Sequence, residues 1–178
     1  MKNQKTAFQC STAWRPNDVL YQDLIKDIGV VACVVEIGVH FGYSLFTFAR
    51  DYPKALVIGV DNFSYTDSDD AEKHLKDHVG FFPNIRIFQY ESSDARRLWA
   101  DPSVYCDIDI LHIDGDHRYE SVKRDYDLWH DAVRPGGVIM FHDIHSFPNE
   151  VGKFFNELKG TKKTIDKGAG LGLLFKDA

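Results

Sequence analysis

The 178-residue sequence predicts an α/β protein, a doubly wound and mostly parallel sheet ending in a C-terminal antiparallel hairpin. Three observations carry this prediction. Short β-branched runs alternate with segments of helical apolar spacing from Val30 onward. The runs are apolar almost throughout rather than at every second position, as strands covered on both faces require. The last two runs are separated only by Gly168-Ala169-Gly170, too short a connection for a parallel crossover.

Residues 1–15 show neither period and are expected to form an arm, with 16–178 as one domain. Pro16-Asn17-Asp18 opens a helix whose apolar positions Leu20, Leu24, Ile25 and Ile28 keep helical spacing. Val30 to Val39 is the first strand, Ser44 to Arg50 a helix stopped before Pro53, and Ala55 to Val60 the second strand. Ser68 to Val79 carries Ala71, Leu75 and Val79 at intervals of four, a helix. Ile85 to Tyr90 is a third strand, Ser92 to Trp99 a short helix, and Ile108 to Ile113 a fourth strand. Tyr119, Val122, Tyr126, Trp129 and Val133 step by three and four, predicting a helix that ends in a turn at Arg134-Pro135-Gly136-Gly137. Val138 to Phe141 is the fifth strand, Pro148 to Leu158 a helix, and Lys162 to Ile165 with Leu171 to Phe175 the hairpin.

Composition narrows the function. With 44% apolar residues, a chain of this length fills a core without staples. Its net charge of −6 is a poor match for a nucleic-acid backbone, which is held by clustered Lys and Arg. There is no signal-like apolar segment after the polar N-terminus and no run long enough to span a bilayer, so a cytoplasmic location without membrane partners is expected. Cys10, Cys33 and Cys106 show no CxxC spacing, which argues against a zinc site and a disulfide framework; Cys33, inside an apolar run, is expected to be a buried inert thiol.

In sheets of this kind ligands bind outside the carboxyl ends of the strands, so the residues at each strand end decide the chemistry. The first strand runs into Glu36-Ile37-Gly38-Val39-His40-Phe41-Gly42-Tyr43-Ser44. The glycines permit a tight turn and close approach to a ligand, but His40 stands where a dinucleotide motif needs its second glycine. Glu36 beside them would repel a diphosphate and suit an ammonium group, although a turn with Glu36 capping amides explains it equally. Asp61 ends the second strand, placed for the two hydroxyls of a ribose or for a turn cap. Glu91-Ser92-Ser93-Asp94 ends the third, where small polar residues suit an adenine edge or a helix cap. The fourth and fifth strands end in His112, Asp114, Asp116 and His117, and in His142, Asp143 and His145, a concentration of carboxylates and imidazoles that fits a hard-metal or acid–base site. Within it Asp116 suits a helix cap and His112 the core.

These pieces together resemble the class I S-adenosylmethionine-dependent methyltransferases, specifically the small O-methyltransferase branch of catechol-type and bacterial sugar enzymes, with their Rossmann-like fold. The resemblance spans about residues 16–176 and rests on EIGVHFGYS at 36–44, IDGDHRYESVKRDYDLW at 113–129 and RPGGVIMFHDI at 134–144. It implies that Glu36, Gly38, His40, Gly42 and Ser44 surround the methionine end of the cofactor, that Asp61 and Asn62 take the ribose, and that Glu91, Ser92 and Ser93 flank the adenine, with Asp114 completing the set. It implies His117 as the base, with Asp114 and His142 also catalytic. Asp114, Asp143 and His142 would form the shell of Mg²⁺ or another divalent ion, although Ile144 stands where catechol-type enzymes carry an Asn ligand. The acceptor implied is a small hydroxylated molecule such as a sugar or polyol. Only the arm 1–15 and the loop 62–70 remain to cover the pocket, so either the acceptor is held loosely or a second subunit, making a homodimer, completes the site. Two other readings stay open from the residues alone: a metal-dependent hydrolase using the Asp/His cluster, and a non-catalytic cofactor-binding domain.

Overall fold

The computed structural model describes residues 28–65, 68–101 and 105–177. The expected arm and nearly all of the first expected helix lie outside these; Ile28, the helix's last apolar position, is buried. The elements are β1 (Cys33–Ile37), α1 (Tyr43–Asp51), β2 (Leu56–Val60), α2 (Ser68–Val79), β3 (Ile85–Phe88), α3 (Ser92–Trp99), β4 (Ile108–Ile113), α4 (Tyr119–Trp129), β5 (Val133–His142), α5 (Val151–Glu157), β6 (Thr161–Ile165) and β7 (Leu171–Phe175).

The seven strands lie in the order β3-β2-β1-β4-β5-β7-β6, as expected parallel until β7 runs antiparallel beside β5 and β6. The chain starts in the middle, moves outward to β3, then returns to lay β4 on the other side of β1. The topological switch therefore falls between β1 and β4, where a crevice opens at the strand ends.

Alternation along β1 sends Val34 into one apolar cluster with Leu45, Phe48 and Leu75, and Cys33, Val35 and Ile37 into the other with Trp99, Trp129 and Phe155. Both faces are thus covered, which is why the strands read as continuous apolar runs. Trp99 of α3 and Trp129 of α4 are fully buried and meet edge to face at 5.5 Å, a pairing worth about 0.5–1.5 kcal/mol beyond its area.

Three expectations are corrected. Val133 belongs to β5 rather than to the preceding helix, because a single 3₁₀ turn at His130–Ala132 ends the helical run. The turn expected at Arg134–Gly137 is a bulge inside β5: Val133 faces Ile108 and Val138 faces Ile110. Cys33 is joined to Cys106 in a disulfide across 73 residues, a pairing that spacing along the chain does not reveal.

The bulge has a partner that the sequence did not advertise. Asp109, buried within β4, accepts the amides of Ala32 (2.7 Å) and Cys33 (2.8 Å) and the Arg134 guanidinium. One carboxylate thereby joins β1, β4 and β5 at the end of the sheet opposite the crevice.

Candidate active site

The crevice is a cleft of about 1040 Å³ lined by all five parallel strand ends. Gly38 and His40 come from the end of β1, Asp61–Tyr65 from β2, Tyr90–Ser92 from β3, Asp114–Arg118 from β4, and Asp143, Phe147 and Glu150 from beyond β5.

Gly38 lines the cleft and also packs closely against its own protein. Its φ is +86°, and a Cβ there would fall 2.3 Å from the Asp114 carbonyl oxygen. The Gly38 amide donates to Val60 (2.9 Å) and the Asp114 amide to Ile37 (2.8 Å), so the tips of β1, β2 and β4 are stitched at this point. Gly42 lies outside the cleft wall; its left-handed φ caps α1, and a Cβ would strike Leu75.

Asp61 fills the turn-cap role in full while facing the cleft. Oδ2 accepts the amides of Val39 (2.7 Å) and His40 (2.8 Å), and Oδ1 that of Phe63 (2.7 Å). It fixes the β1–α1 loop against its own. Asn62 donates to Glu91 (2.6 Å), bridging the ends of β2 and β3 along the cleft rim. Ser92 lines the cleft and accepts the Trp129 indole N–H (3.0 Å); Ser93 does not line it. Among the described non-glycine residues, positive φ occurs at His40, Phe63 and Asp143, all on the cleft wall, so backbone strain is concentrated at the site.

Glu36 and Ser44 are buried beneath the floor and do not line the cleft. Glu36 Oε1 accepts the Ser44 hydroxyl and lies 2.8 Å from His112 Nδ1. Burial pushes the Glu36 carboxyl up, opposed by His112 and Ser44. The expected contact of Glu36 with a ligand is therefore replaced by an internal one, since helix α1 covers that face of the strand.

The tips of β4 and β5 converge as expected. His117 Nε2 is 3.0 Å from Asp143 Oδ2 and 3.7 Å from Asp114 Oδ1. His142 Nδ1 lies 3.1 Å from each of those two oxygens. His142 is buried and absent from the cleft wall, so it positions the carboxylates from behind instead of meeting a ligand. Phe147 stacks on the His117 ring at 4.3 Å and 10°. Ile144, the position compared with an Asn ligand, is a core residue.

Electrostatics follow from this packing. Burial lowers both imidazoles, but Asp114 and Asp143 outweigh it and push His117 up to about 9 and His142 to about 10. Burial raises the carboxyls, yet the two histidines hold Asp114 at about 2 and Asp143 well below the usual range. Histidines raised in the folded state stabilise fully below their ordinary 6.5 and lose that contribution as pH climbs through 9 to 10. The lowered carboxylates contribute above their ordinary 3.8 and lose it towards pH 2. The metal-free protein is accordingly expected to melt at steadily lower temperature between pH 7 and 10. Calorimetric scans in EDTA check this, and a flat profile would count against the imidazolium cluster.

Asp114, His117 and Asp143 each bring one ligand atom within 4.8 Å of the others. Two carboxylates and an imidazole fit a divalent ion, with the nitrogen favouring a transition metal over Mg²⁺. In the similar group Glu36, His112 and Asp114, the first two are buried and hydrogen-bonded to each other.

Sequence reasoning missed several wall residues. Tyr90, Phe147 and Glu150 carried no motif, whereas Phe63 and Tyr65 belong to the loop 62–70 expected to cover the pocket. Asp125 did carry a signal: it falls between Val122 and Trp129 on the apolar stripe of α4, where a charged residue is out of place. It is 3% exposed, lines the cleft, and has no hydrogen-bond partner for Oδ1. Burial pushes its carboxyl up.

Known proteins share this architecture. The solved O-methyltransferase TomG of Streptomyces achromogenes, in complex with SAM, superposes with a TM-score of 0.71 at 16% identity, over 98% of this chain and 89% of that one. The O-methyltransferase of Bacillus cereus in complex with SAH gives 0.71 and 16%, over 96% and 84%. At such identities the likeness establishes the fold. An uncharacterized protein of Sinorhizobium fredii is 28% identical over 158 residues, 80% of this chain but 17% of its own length, so the chain spans a small part of that relative. The family described as "Methyltransferase domain" matches residues 35–144, from β1 to just past β5. That span is more than half of the chain and holds every strand tip that builds the cleft, and by it the chain belongs to this methyltransferase-domain family.

Proposed function

We propose that the chain is an S-adenosylmethionine-dependent O-methyltransferase acting on a small hydroxylated acceptor, a sugar, polyol or similar molecule. The observation that carries this is one cleft with two ends. Asp61 holds the loop at the β2 end, while His117 stands beside two carboxylates at the β4–β5 end. An elongated cofactor lying across the switch point would reach from one to the other.

In the transfer the acceptor oxygen bonds to the sulfonium methyl as the S–CH₃ bond breaks, and the hydroxyl proton must leave. His117 Nε2 is the group placed to take it, provided the imidazole is neutral when the acceptor binds. Phe147 fixes the ring plane, and His142 holds Asp114 and Asp143 in place from below. A divalent ion held by Asp114, Asp143 and His117 would supply positive charge that lowers the hydroxyl pKa. A ligand His117 is not free as a base, so the metal and base roles of this residue are alternatives. The rest of the rate rests on alignment of oxygen, methyl and sulfur.

The hydrolase reading, which uses Asp114, His117, His142, Asp143 and His145, loses one of its imidazoles: His145 pairs with Asp166 at the surface. A cytoplasmic location belongs to the same proposal, supported by the intracellular supply of the cofactor; the Cys33–Cys106 bond is the observation that pulls the other way. Among the described residues no helix is long and apolar enough to cross a membrane. A homodimer is supported by exposed rings on the cleft rim, Tyr65 and Phe147 among them. Light scattering at the monomer mass of an active sample would remove that part.

The test is transfer of labelled methyl from S-adenosylmethionine to a panel of sugars and polyols, with amines and carboxylic acids as controls. Label in the hydroxylated acceptors supports the proposal, and label confined to amines or acids contradicts it. Asp61→Ala is expected to weaken S-adenosylhomocysteine binding by roughly 1.5–3 kcal/mol, the cost of losing charged hydrogen bonds. Because Asp61 also holds the loop amides, part of the loss comes through the β1–α1 loop. Calorimetric titration measures it.

A further inference from the structure

A buried carboxylate oxygen without a partner is costly, and in a native fold it calls for an explanation. Asp125 is such a group. Its Oδ1 has no hydrogen bond, and the nearest cation, Arg124 Nε, stands 4.0 Å away. The surrounding contacts give the carboxylate an orientation. Trp129 Nε1 donates to Ser92 Oγ at 3.0 Å, and the Ser92 hydroxyl in turn hydrogen-bonds Asp125. This chain ties α4 to the first turn of α3. Asp125 Oδ2 also lies 3.6 Å from where a Cβ on Gly115 would sit, which brings the carboxylate beside the β4 tip. The absence of a side chain at Gly115 leaves room there. Tyr90, Glu91 and Gly115 line the cleft together with Asp125, and the space at Gly115 forms a notch beside the carboxylate.

We propose that Asp125 is the residue that selects the base of the cofactor, its Oδ1 accepting the 6-amino group of adenine. The inference rests on the cofactor reading above. If Asp61 takes the ribose and the reacting methyl lies at His117, the base extends to the β3 end, into this notch. An acceptor that has no competing partner before binding discriminates strongly, because a ligand presenting an acceptor in place of a donor leaves two buried lone pairs facing each other. Adenine offers an N–H there and a 6-oxo purine offers a carbonyl oxygen.

The probes are S-adenosylhomocysteine and its 6-oxo (inosine) analogue, titrated by calorimetry at pH 8, above the ordinary carboxylate range. The wild-type protein is expected to prefer the 6-amino compound by about 100-fold. In Asp125→Asn the amide offers either a donor or an acceptor, and the preference is expected to fall within about threefold, chiefly through tighter binding of the 6-oxo analogue. Asp125→Ala serves as a second variant, expected to lose the preference without that gain; melting curves establish that each variant folds. A wild-type protein that binds both compounds alike overturns the proposal, as does a preference that survives both substitutions. Failure of the wild-type protein to bind either compound overturns the cofactor reading itself, which is a separate result.

Discussion

His117→Ala is expected to lower methyl transfer about 10²–10⁴-fold, the usual worth of a positioned acid–base group, while leaving S-adenosylhomocysteine affinity within about threefold. The separation follows from where the residue sits. His117 lies with Asp114 and Asp143 at the β4–β5 end of the cleft, whereas Asp61, Asn62 and Ser92 define the other end. Phe147 loses its stacking partner in the variant, so some disorder at the acceptor side accompanies the loss. Turnover with the best acceptor, measured beside calorimetric affinity for S-adenosylhomocysteine, separates the two effects. Wild-type turnover in the variant would exclude His117 as the base, and an equal loss of both quantities would make it a structural residue.

The largest effect on stability is expected at Asp109, which has no part in the cleft. Asp109→Ala removes a buried carboxylate from the amides of Ala32 and Cys33 and from Arg134. Breaking a fully buried ion pair from one side costs about 3–5 kcal/mol. Here the Arg134 side chain is 30% exposed and can rehydrate, so the loss is expected at the lower end, about 3 kcal/mol, with the two amides left without their acceptor. Asp109→Asn keeps one acceptor and is expected to lose about half as much. Urea unfolding measures both. Since the contact holds the far ends of β1, β4 and β5, the folded fraction of either variant is expected to bind S-adenosylhomocysteine normally. A loss under about 1 kcal/mol for Asp109→Ala would show that water replaces the carboxylate at the sheet end.

Much of this architecture was legible from periodicity alone. The strands Ile108–Ile113 and Leu171–Phe175 and the helix Ser68–Val79 fall where the sequence places them, because burial on two faces or on one stripe dictates their composition. The corrections arise where contacts between distant residues decide. Val133 continues the apolar step of α4, but pairing with Ile108 draws it into β5. Cys33 and Cys106 meet only because β1 and β4 are neighbours in the sheet.

The site divides in the same way. That Asp61, Asp114, His117 and Asp143 would share one cleft follows from the rule that strand ends converge. That Glu36 would turn away from it does not, because its direction is set by Ser44 and His112 and by the helix above. Gly38 was expected to admit a ligand, and what it admits first is the Asp114 backbone. Asp125 was visible as a charge on an apolar stripe, but its meaning needed the position of Ser92, 33 residues earlier in the chain.

The central claim is that the cleft binds S-adenosylmethionine, and calorimetric titration of the metal-free protein with S-adenosylhomocysteine tests it most directly. Titrations with Mg²⁺ present and with NAD as a control complete the experiment. Micromolar binding of S-adenosylhomocysteine, with none of NAD, is the predicted result. Absence of binding with and without Mg²⁺, by protein whose melting curve shows it folded, would contradict the account.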